Sequence, residues 1–267
     1  MTAVRSADGA PATRPHIVFL TGATSGIGAA LARRYAAQGA LLGLFARRQA
    51  ELDALASTLP VGTAATYAGD VRDAGALQRA AAGFVARFGV PDIVIANAGV
   101  SRGTLTEMAD DLPAFRAVFD TNVLGLVHTF HPFLAAMRGA RRGTLVGIAS
   151  VAGLRGLPGA GAYSASKAAA ISYLESLRVE QAGSGVAVVT VCPGYVATPM
   201  TARNAYRMPF LIDADRAATL IARAIERRKR FCVLPWPMAL VARVLRLMPR
   251  PLYDAAFARA PRKSRQP

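Results

Sequence analysis

Seven short apolar runs, near 17–21, 41–46, 65–69, 92–96, 143–149, 186–192 and 231–234, alternate along the chain with stretches of helical periodicity. Runs of this length without polar alternation suit strands buried on both faces. Strands separated by helices join one sheet through crossovers, and such crossovers are right-handed. The pattern therefore predicts an α/β fold: a doubly wound parallel sheet of about seven strands, covered by helices on both faces. With 267 residues, 53% of them apolar, the chain has material for one domain with a large core. That domain is expected over 16–234, with a C-terminal helical extension over 235–267. Residues 1–15 show little periodicity and several Ala, Thr, Pro and Gly, and read as a disordered leader without the apolar run of a secretory signal.

The first strand runs into a glycine-rich turn and a helix, in HIVFLTGATSGIGAALARRYAAQGA. Gly22, Gly26 and Gly28 leave room for the close approach of a pyrophosphate, whose charge the N–H groups of the following helix would face. The turn places Thr24, Ser25 and Ile27 beside them. The spacing Gly-x-x-x-Gly-x-Gly departs from the general dinucleotide fingerprint, but its place on the first strand of a long βα series predicts a Rossmann-type nucleotide site. At the end of the second strand, an acid would favour NAD by accepting from the 2′-hydroxyl. Ala46 stands there instead, followed by Arg47 and Arg48, whose guanidinium groups suit a 2′-phosphate. The cofactor expected is NADP(H).

A second constellation concerns proton transfer. Tyr163 and Lys167 are four apart and share a face of the helix expected there. An ammonium beside a phenol stabilises the phenolate and brings its pKa down from about 10. Such a tyrosine can give and take protons near neutrality. Ser150 closes the apolar run TLVGIAS, and a glycine-rich loop leads from it to that helix. Its hydroxyl would polarise the same substrate oxygen.

These segments, in this order, resemble the short-chain dehydrogenase/reductase family from about His16 to about Leu234. The resemblance rests on TGATSGIG, Asp70-Val71, ANAG at 96–99, Asn122, Ser150, YSASK at 163–167 and PGYVATP at 193–199. It implies that Tyr163 exchanges the proton, and that Lys167 lowers its pKa and bonds the nicotinamide ribose. It further implies that Ser150 orients the carbonyl and that Asn122 holds a relay water. Asp70 and Val71 would border the adenine, while Asn97, Ala98 and Gly99 would pass close to the cofactor. Pro193, Gly194, Val196 and Thr198 would lie along the nicotinamide. Ala96 departs mildly from the family's frequent Asn. The implied activity is interconversion of a carbonyl and a secondary alcohol; a non-catalytic NADP(H) sensor or scaffold is the alternative. A homodimer or homotetramer built on the helices near 112–137 and 161–182 is also implied.

The remainder of the chain leaves choices open. Cys192 and Cys232 fall in strands without metal or redox spacing and read as packed thiols, and His16, His128 and His131 make no metal set. The net charge of +16 is uneven: residues 201–267 carry 15 basic and 4 acidic side chains. Such an excess draws acidic ligands, anionic lipid or nucleic acid, yet no nucleic-acid module accompanies it. An arginine-rich genome composition would give the same excess. An apolar helix is expected over Met238–Met248, too short to span a membrane. It would cover the substrate cleft, pack between subunits, or lie in a membrane surface with its arginines near headgroups. The protein is thus expected to be cytoplasmic, with surface membrane contact as one alternative and a membrane-surface function through the basic C-terminus as another. The segment between Tyr195 and Ile212, with Met200, Tyr206, Met208, Pro209, Phe210 and Leu211, reads as a mobile lid over an apolar substrate, with ordinary packing of those side chains as the alternative.

Overall fold

The computed structural model describes residues 15–202, 204, 206–260, 262, 263 and 265, so the expected leader lies outside the described residues but for Pro15. Seven strands form one sheet: β1 (Ile17–Thr21), β2 (Leu41–Ala46), β3 (Ala64–Ala68), β4 (Ile93–Ala96), β5 (Gly143–Ile148), β6 (Val186–Pro193) and β7 (Phe231–Leu234). Their spatial order is β3-β2-β1-β4-β5-β6-β7, and every neighbouring pair is parallel. All seven apolar runs are strands, displaced by at most a residue or so at their ends.

Side chains alternate across the sheet, as the pleat requires. Val18 and Leu20 of β1 join one apolar cluster, with α1 (Gly26–Ala37), α2 (Gln49–Ser57) and α7 (Ala214–Glu226). Ile17 and Phe19 join the other, with α3 (Ala74–Phe88), α5 (Gly125–Gly139) and α6 (Gly161–Glu180). Phe19 is the centre of that second cluster: its ring lies 4.7 Å from Phe133, 5.3 Å from Phe84 and 6.3 Å from Phe45. Burying rings of this size contributes about 1.5–3 kcal/mol each. Gly43 makes room for them, since a Cβ there would stand 2.5 Å from Phe84 and 2.6 Å from Phe19.

The helix α4 (Leu112–Phe119) runs on into α5 through a π turn at Asp120–Leu124, in which the Gly125 N–H reaches back to the Asp120 carbonyl. Beyond β7 the chain forms two helices where one was expected: α8 (Trp236–Leu247) and α9 (Arg250–Phe257). Pro249 and Pro251 flank the start of α9, where proline's fixed φ stops one helix and suits the first turn of the next. Met238 and Ala242 of α8 and Tyr253 of α9 are buried. Among the described residues, no helix is long and apolar enough to cross a membrane.

Gly28 shows how closely α1 is seated on the sheet. A Cβ there would stand 2.1 Å from the Gly22 carbonyl oxygen and 2.7 Å from the Asn97 amide. Backbone cannot yield as a flexible side chain does, so Gly28→Ala is expected to destabilise the fold by about 1–3 kcal/mol. Chemical denaturation of the two proteins, compared at equal m-value, measures the difference.

Candidate active site

The strand order reverses between β1 and β4, and a ligand crevice in such sheets opens at the carboxyl ends of the strands on either side of that point. Here those ends are laced together. The Thr21 hydroxyl donates to the Ile95 carbonyl at 3.4 Å and accepts from the Asn97 and Ala98 N–H groups at 3.2 and 3.3 Å. The Asn97 amide donates to the Thr21 and Gly22 carbonyls, both at 3.1 Å. Asn97 is therefore spent on holding the glycine turn to β4. Thr21 was not among the expected site residues, since nothing in its local sequence announces these partners.

The cleft that opens over this lacing is lined by Gly22, Thr24, Ser25, Gly26, Ile27, Arg47, Arg48, Asp70, Val71, Asn97, Ala98 and Gly99. Ser150, Tyr163, Lys167, Pro193, Gly194, Val196 and Thr198 complete the expected set along its wall. Gly28 and Asn122 do not line it. Gly28 serves helix packing, as described above, while Gly22 and Gly26 adopt φ of +66° and +51°, which L side chains rarely hold. Gly26 also lies against Thr198, whose methyl would meet a Cβ at 2.8 Å. Ala46, where an acid would have read the ribose, lines the cleft as well, as do Gly69, Val100, Thr121 and Ile148, which the sequence motifs do not single out.

At the mouth of the glycine turn, α1 begins at Gly26, and the side chain of its N-cap residue Ser25 makes no capping hydrogen bond. The first-turn N–H groups of a helix have no partner within it, so they are open to an anion. At the end of β2, no carboxylate stands in place of Ala46. Arg48 pairs with Glu51 at 2.5 Å, whereas Arg47 has no ion pair among the described residues. Asp70 is held by Arg72 through side-chain contacts at 2.7 and 3.0 Å, which keeps its carboxyl below the usual range.

The polar end of the cleft is built from β5, α6 and the π turn. Ser150 follows β5 and caps a short 3-10 turn, Val151–Gly153, accepting from the Ala152 N–H at 3.2 Å. Gly153 lies directly on the backbone of α6, where a Cβ would stand 2.6 Å from the Lys167 carbonyl carbon. That close seat brings Ser150 against the phenol of Tyr163. Lys167, one turn further along α6, is buried and donates to the Ile148 carbonyl at 2.8 Å. Its ammonium is 5.9 Å from the centre of the Tyr163 ring. Burial brings the Lys167 pKa down to about 8, against a small opposing pull from Cys192.

In this site burial raises the Tyr163 pKa above 10, while the Ser150 hydroxyl works in the other direction. The phenol sits in a low-dielectric wall, and the same burial loosens the proton of the Lys167 ammonium. Cys192 is fully enclosed and its thiol is pushed up to about 12, chiefly by burial; Cys232 rises to about 11 for the same reason. Both remain free thiols, inert at neutral pH.

Asn122 occupies the π turn and is 1% exposed. Its carbonyl oxygen accepts from the Val100 N–H at 2.8 Å, and its amide donates to the Val100 carbonyl and the Ser166 hydroxyl, both at 2.9 Å. The Ser166 hydroxyl in turn donates to the Tyr163 carbonyl at 2.8 Å. Asn122 thus ties the loop after β4 to the helix that carries Tyr163. Ser166 is the link that spacing alone does not reveal.

The extension closes the other side. Gly194 touches α8, where a Cβ would meet Met238 at 2.7 Å. Tyr253 of α9 stacks under the Arg155 guanidinium at 4.2 Å and donates to the Gly156 carbonyl at 2.5 Å. The segment expected as a lid has pinned ends: the Ala197 N–H donates to the Ile212 carbonyl at 2.8 Å, and the Ile212 N–H to the Tyr195 carbonyl at 3.2 Å. Met200 lines the cleft, whereas Phe210 and Leu211 face outward.

The family described as short chain dehydrogenase matches residues 16–208. An "uncharacterized oxidoreductase" of Myxococcus xanthus (strain DK1622) is 38% identical over 243 residues, covering 90% of this chain and 96% of that protein. Dehydrogenase/reductase SDR family member 7B of Bos taurus is 32% identical, over 95% of this chain and 83% of its own length. Among solved structures, an alcohol dehydrogenase from the archaeon Thermococcus sibiricus, complexed with 5-hydroxy-NADP, superposes with a TM-score of 0.74 at 25% identity. That likeness covers 82% of this chain and 95% of the archaeal one. With the sheet order and the cleft at its switch point, these likenesses assign the chain to the short-chain dehydrogenase/reductase family, oxidoreductases that work between an alcohol and a carbonyl with a nicotinamide dinucleotide.

Proposed function

We propose that the protein is an NADP(H)-dependent oxidoreductase that interconverts a carbonyl and a secondary alcohol on a substrate with an apolar body. The observation that carries this reading is the meeting of Ser150, Tyr163 and Lys167 at the end of a cleft that begins at the glycine turn. The residues fit the dinucleotide. Open N–H groups of the first turn of α1 would hold the pyrophosphate, and Asp70 and Val71 would border the adenine. Arg47, which forms no salt bridge among the described residues and lies within the field of Asp70, would take the 2′-phosphate. Pro193, Gly194, Val196 and Thr198 would line the nicotinamide. That the archaeal alcohol dehydrogenase is complexed with an NADP derivative favours the same branch.

When bound, the dinucleotide supplies or takes up the hydride. The chain's own residues position the substrate and move the proton. Ser150 would donate to the substrate oxygen, and Tyr163 would give it a proton in reduction and remove one in oxidation. A phenol with a raised pKa stays protonated through the neutral range, which suits reduction. Lys167 keeps two N–H groups beyond its bond to Ile148, available to the nicotinamide ribose. The Asn122 side chain is engaged with Val100 and Ser166, so its proposed part in the proton relay runs through the rigid loop it holds. Exposed Leu112, Phe119, Leu124 and Val179, on or beside α4 and α6, support a homo-oligomer built on those helices.

One further observation favours a second contact. Trp236, Leu240, Val244 and Leu247 recur along α8, are 78%, 60%, 53% and 73% exposed, and stand beside exposed Arg243 and Arg246. We read this face as a peripheral contact with an anionic membrane surface, the apolar side chains entering and the arginines meeting headgroups.

Tyr163→Phe is expected to lower turnover by about a hundredfold or more while NADPH binding and the fold persist; full activity in the variant excludes the role. Arg47→Ala is expected to weaken NADPH by about tenfold and leave NADH nearly unchanged, read from the two dissociation constants. The protein is expected to sediment with anionic and not with neutral vesicles, and Leu240→Glu combined with Val244→Glu should abolish this.

A further inference from the structure

Beyond α9, the described residues Arg262, Lys263 and Arg265 make specific contacts beside Tyr163 and with the loop that follows β4. Arg262 lies against Gly159, whose positive φ of +70° and missing Cβ admit it: a Cβ there would stand 2.7 Å from that of Arg262. Arg265 grips the buried carboxylate of Asp111 with two contacts, at 2.9 and 3.3 Å. Asp111 also accepts from the Leu105 N–H at 2.8 Å, so the grip is fastened to the loop that follows β4. Between these anchors stands Lys263. Its ammonium donates to the Ser101 hydroxyl at 2.6 Å and lies 5.5 Å from the centre of the Tyr163 ring.

We propose that Lys263 is a specificity-determining residue that holds an anionic group, a carboxylate, carried on the substrate a few bonds from the carbon that reacts. The inference rests on the oxidoreductase reading above. Four observations support it. The ammonium faces the same phenol that would exchange the proton, so one substrate can touch both. Among the described residues no carboxylate forms a salt bridge with Lys263, while Arg265, two positions on, has one. Of the three N–H groups of an ammonium, one is used on Ser101, and two remain for the paired oxygens of a carboxylate. Burial lowers the pKa of Lys263, which marks a dry location where an opposite charge is felt strongly. The substrate is then amphipathic: an oxo acid or hydroxy acid with an apolar body.

The test uses the full-length protein with NADP(H) bound and measures binding by calorimetry beside turnover. The probes are acetoacetate, levulinate, a medium-chain oxo acid and their methyl esters, which keep the ketone and remove the charge. At least one acid is expected to bind about tenfold tighter than its ester, the size of one charge-assisted hydrogen bond. Lys263→Met should bring that ratio to about one, and Lys263→Arg should keep most of it. NADPH binding, read separately by its fluorescence, should not change in either variant. The proposal is overturned if every acid binds no better than its ester, if neither binds, or if the preference survives in Lys263→Met. It is overturned equally if removing residues 259–267 raises turnover of acids and esters alike, for the segment would then be a plug. Loss of NADPH binding in the parent protein, or full turnover in Tyr163→Phe, would instead strike the oxidoreductase reading itself.

Discussion

The bonds between Thr21 and Asn97 at the centre of the sheet are the constraint on which the remaining geometry depends. A doubly wound sheet must part at its switch point, leaving two strand ends with backbone groups that face a cleft. Buried polar groups without partners are costly, about 1–3 kcal/mol each. In this chain the Thr21 hydroxyl and the Asn97 amide satisfy several of them at once and fix the distance from the glycine turn to β4. With that distance fixed, Gly22 and Gly28 have no room for a Cβ. The turn is shaped by its neighbours first, and its openness to a phosphate follows.

A similar economy governs the polar end. Ser150, Tyr163 and Lys167 come from a strand end and two turns of one helix, elements that would drift apart without close backbone contact. Gly153 permits that contact on one side, and Asn122 with Ser166 supplies it on the other. Lys167 is then held by a carbonyl and not by an acid. A neighbouring carboxylate would stabilise the ammonium and keep its pKa high. A carbonyl leaves the balance to burial, and the amine sits near the point where its proton is mobile.

Much of the fold was legible because the five inner strands are buried on both faces and so stand out as apolar runs, while the partly covered edge strands β3 and β7 remain short apolar runs between helices. The cleft residues were legible for a related reason: the glycine turn, the strand-end serine and the Tyr–Lys pair are each carried by a short stretch of sequence. What stayed hidden acts across the chain. Nothing near Thr21 points to Asn97, and nothing in the segment after α9 points to its contacts: Lys263 meets Ser101, and Arg265 meets Asp111, from the opposite end of the sequence. The charge excess of residues 201–267 read as an attraction for acidic ligands, anionic lipid or nucleic acid, whereas three side chains beyond α9 have particular seats on the domain. The raised phenol pKa was also out of reach, since spacing reveals the ammonium but not the burial around the ring.

The π turn between α4 and α5 carries a different lesson. One extra residue in a helix advances everything beyond it by about a hundred degrees of rotation. The π turn therefore resets the phase between α4, whose Val118 is buried, and α5, whose Leu126, Phe130 and Phe133 are buried. Asn122 sits where the phases change, which is how a single side chain comes to point sideways from a helix into the loop after β4. Deleting one residue at that point would make a straighter and more regular helix, yet it would swing either Asn122 or Phe133 off its target. Local regularity and the geometry of the site are opposed at this place, and the chain keeps the irregularity.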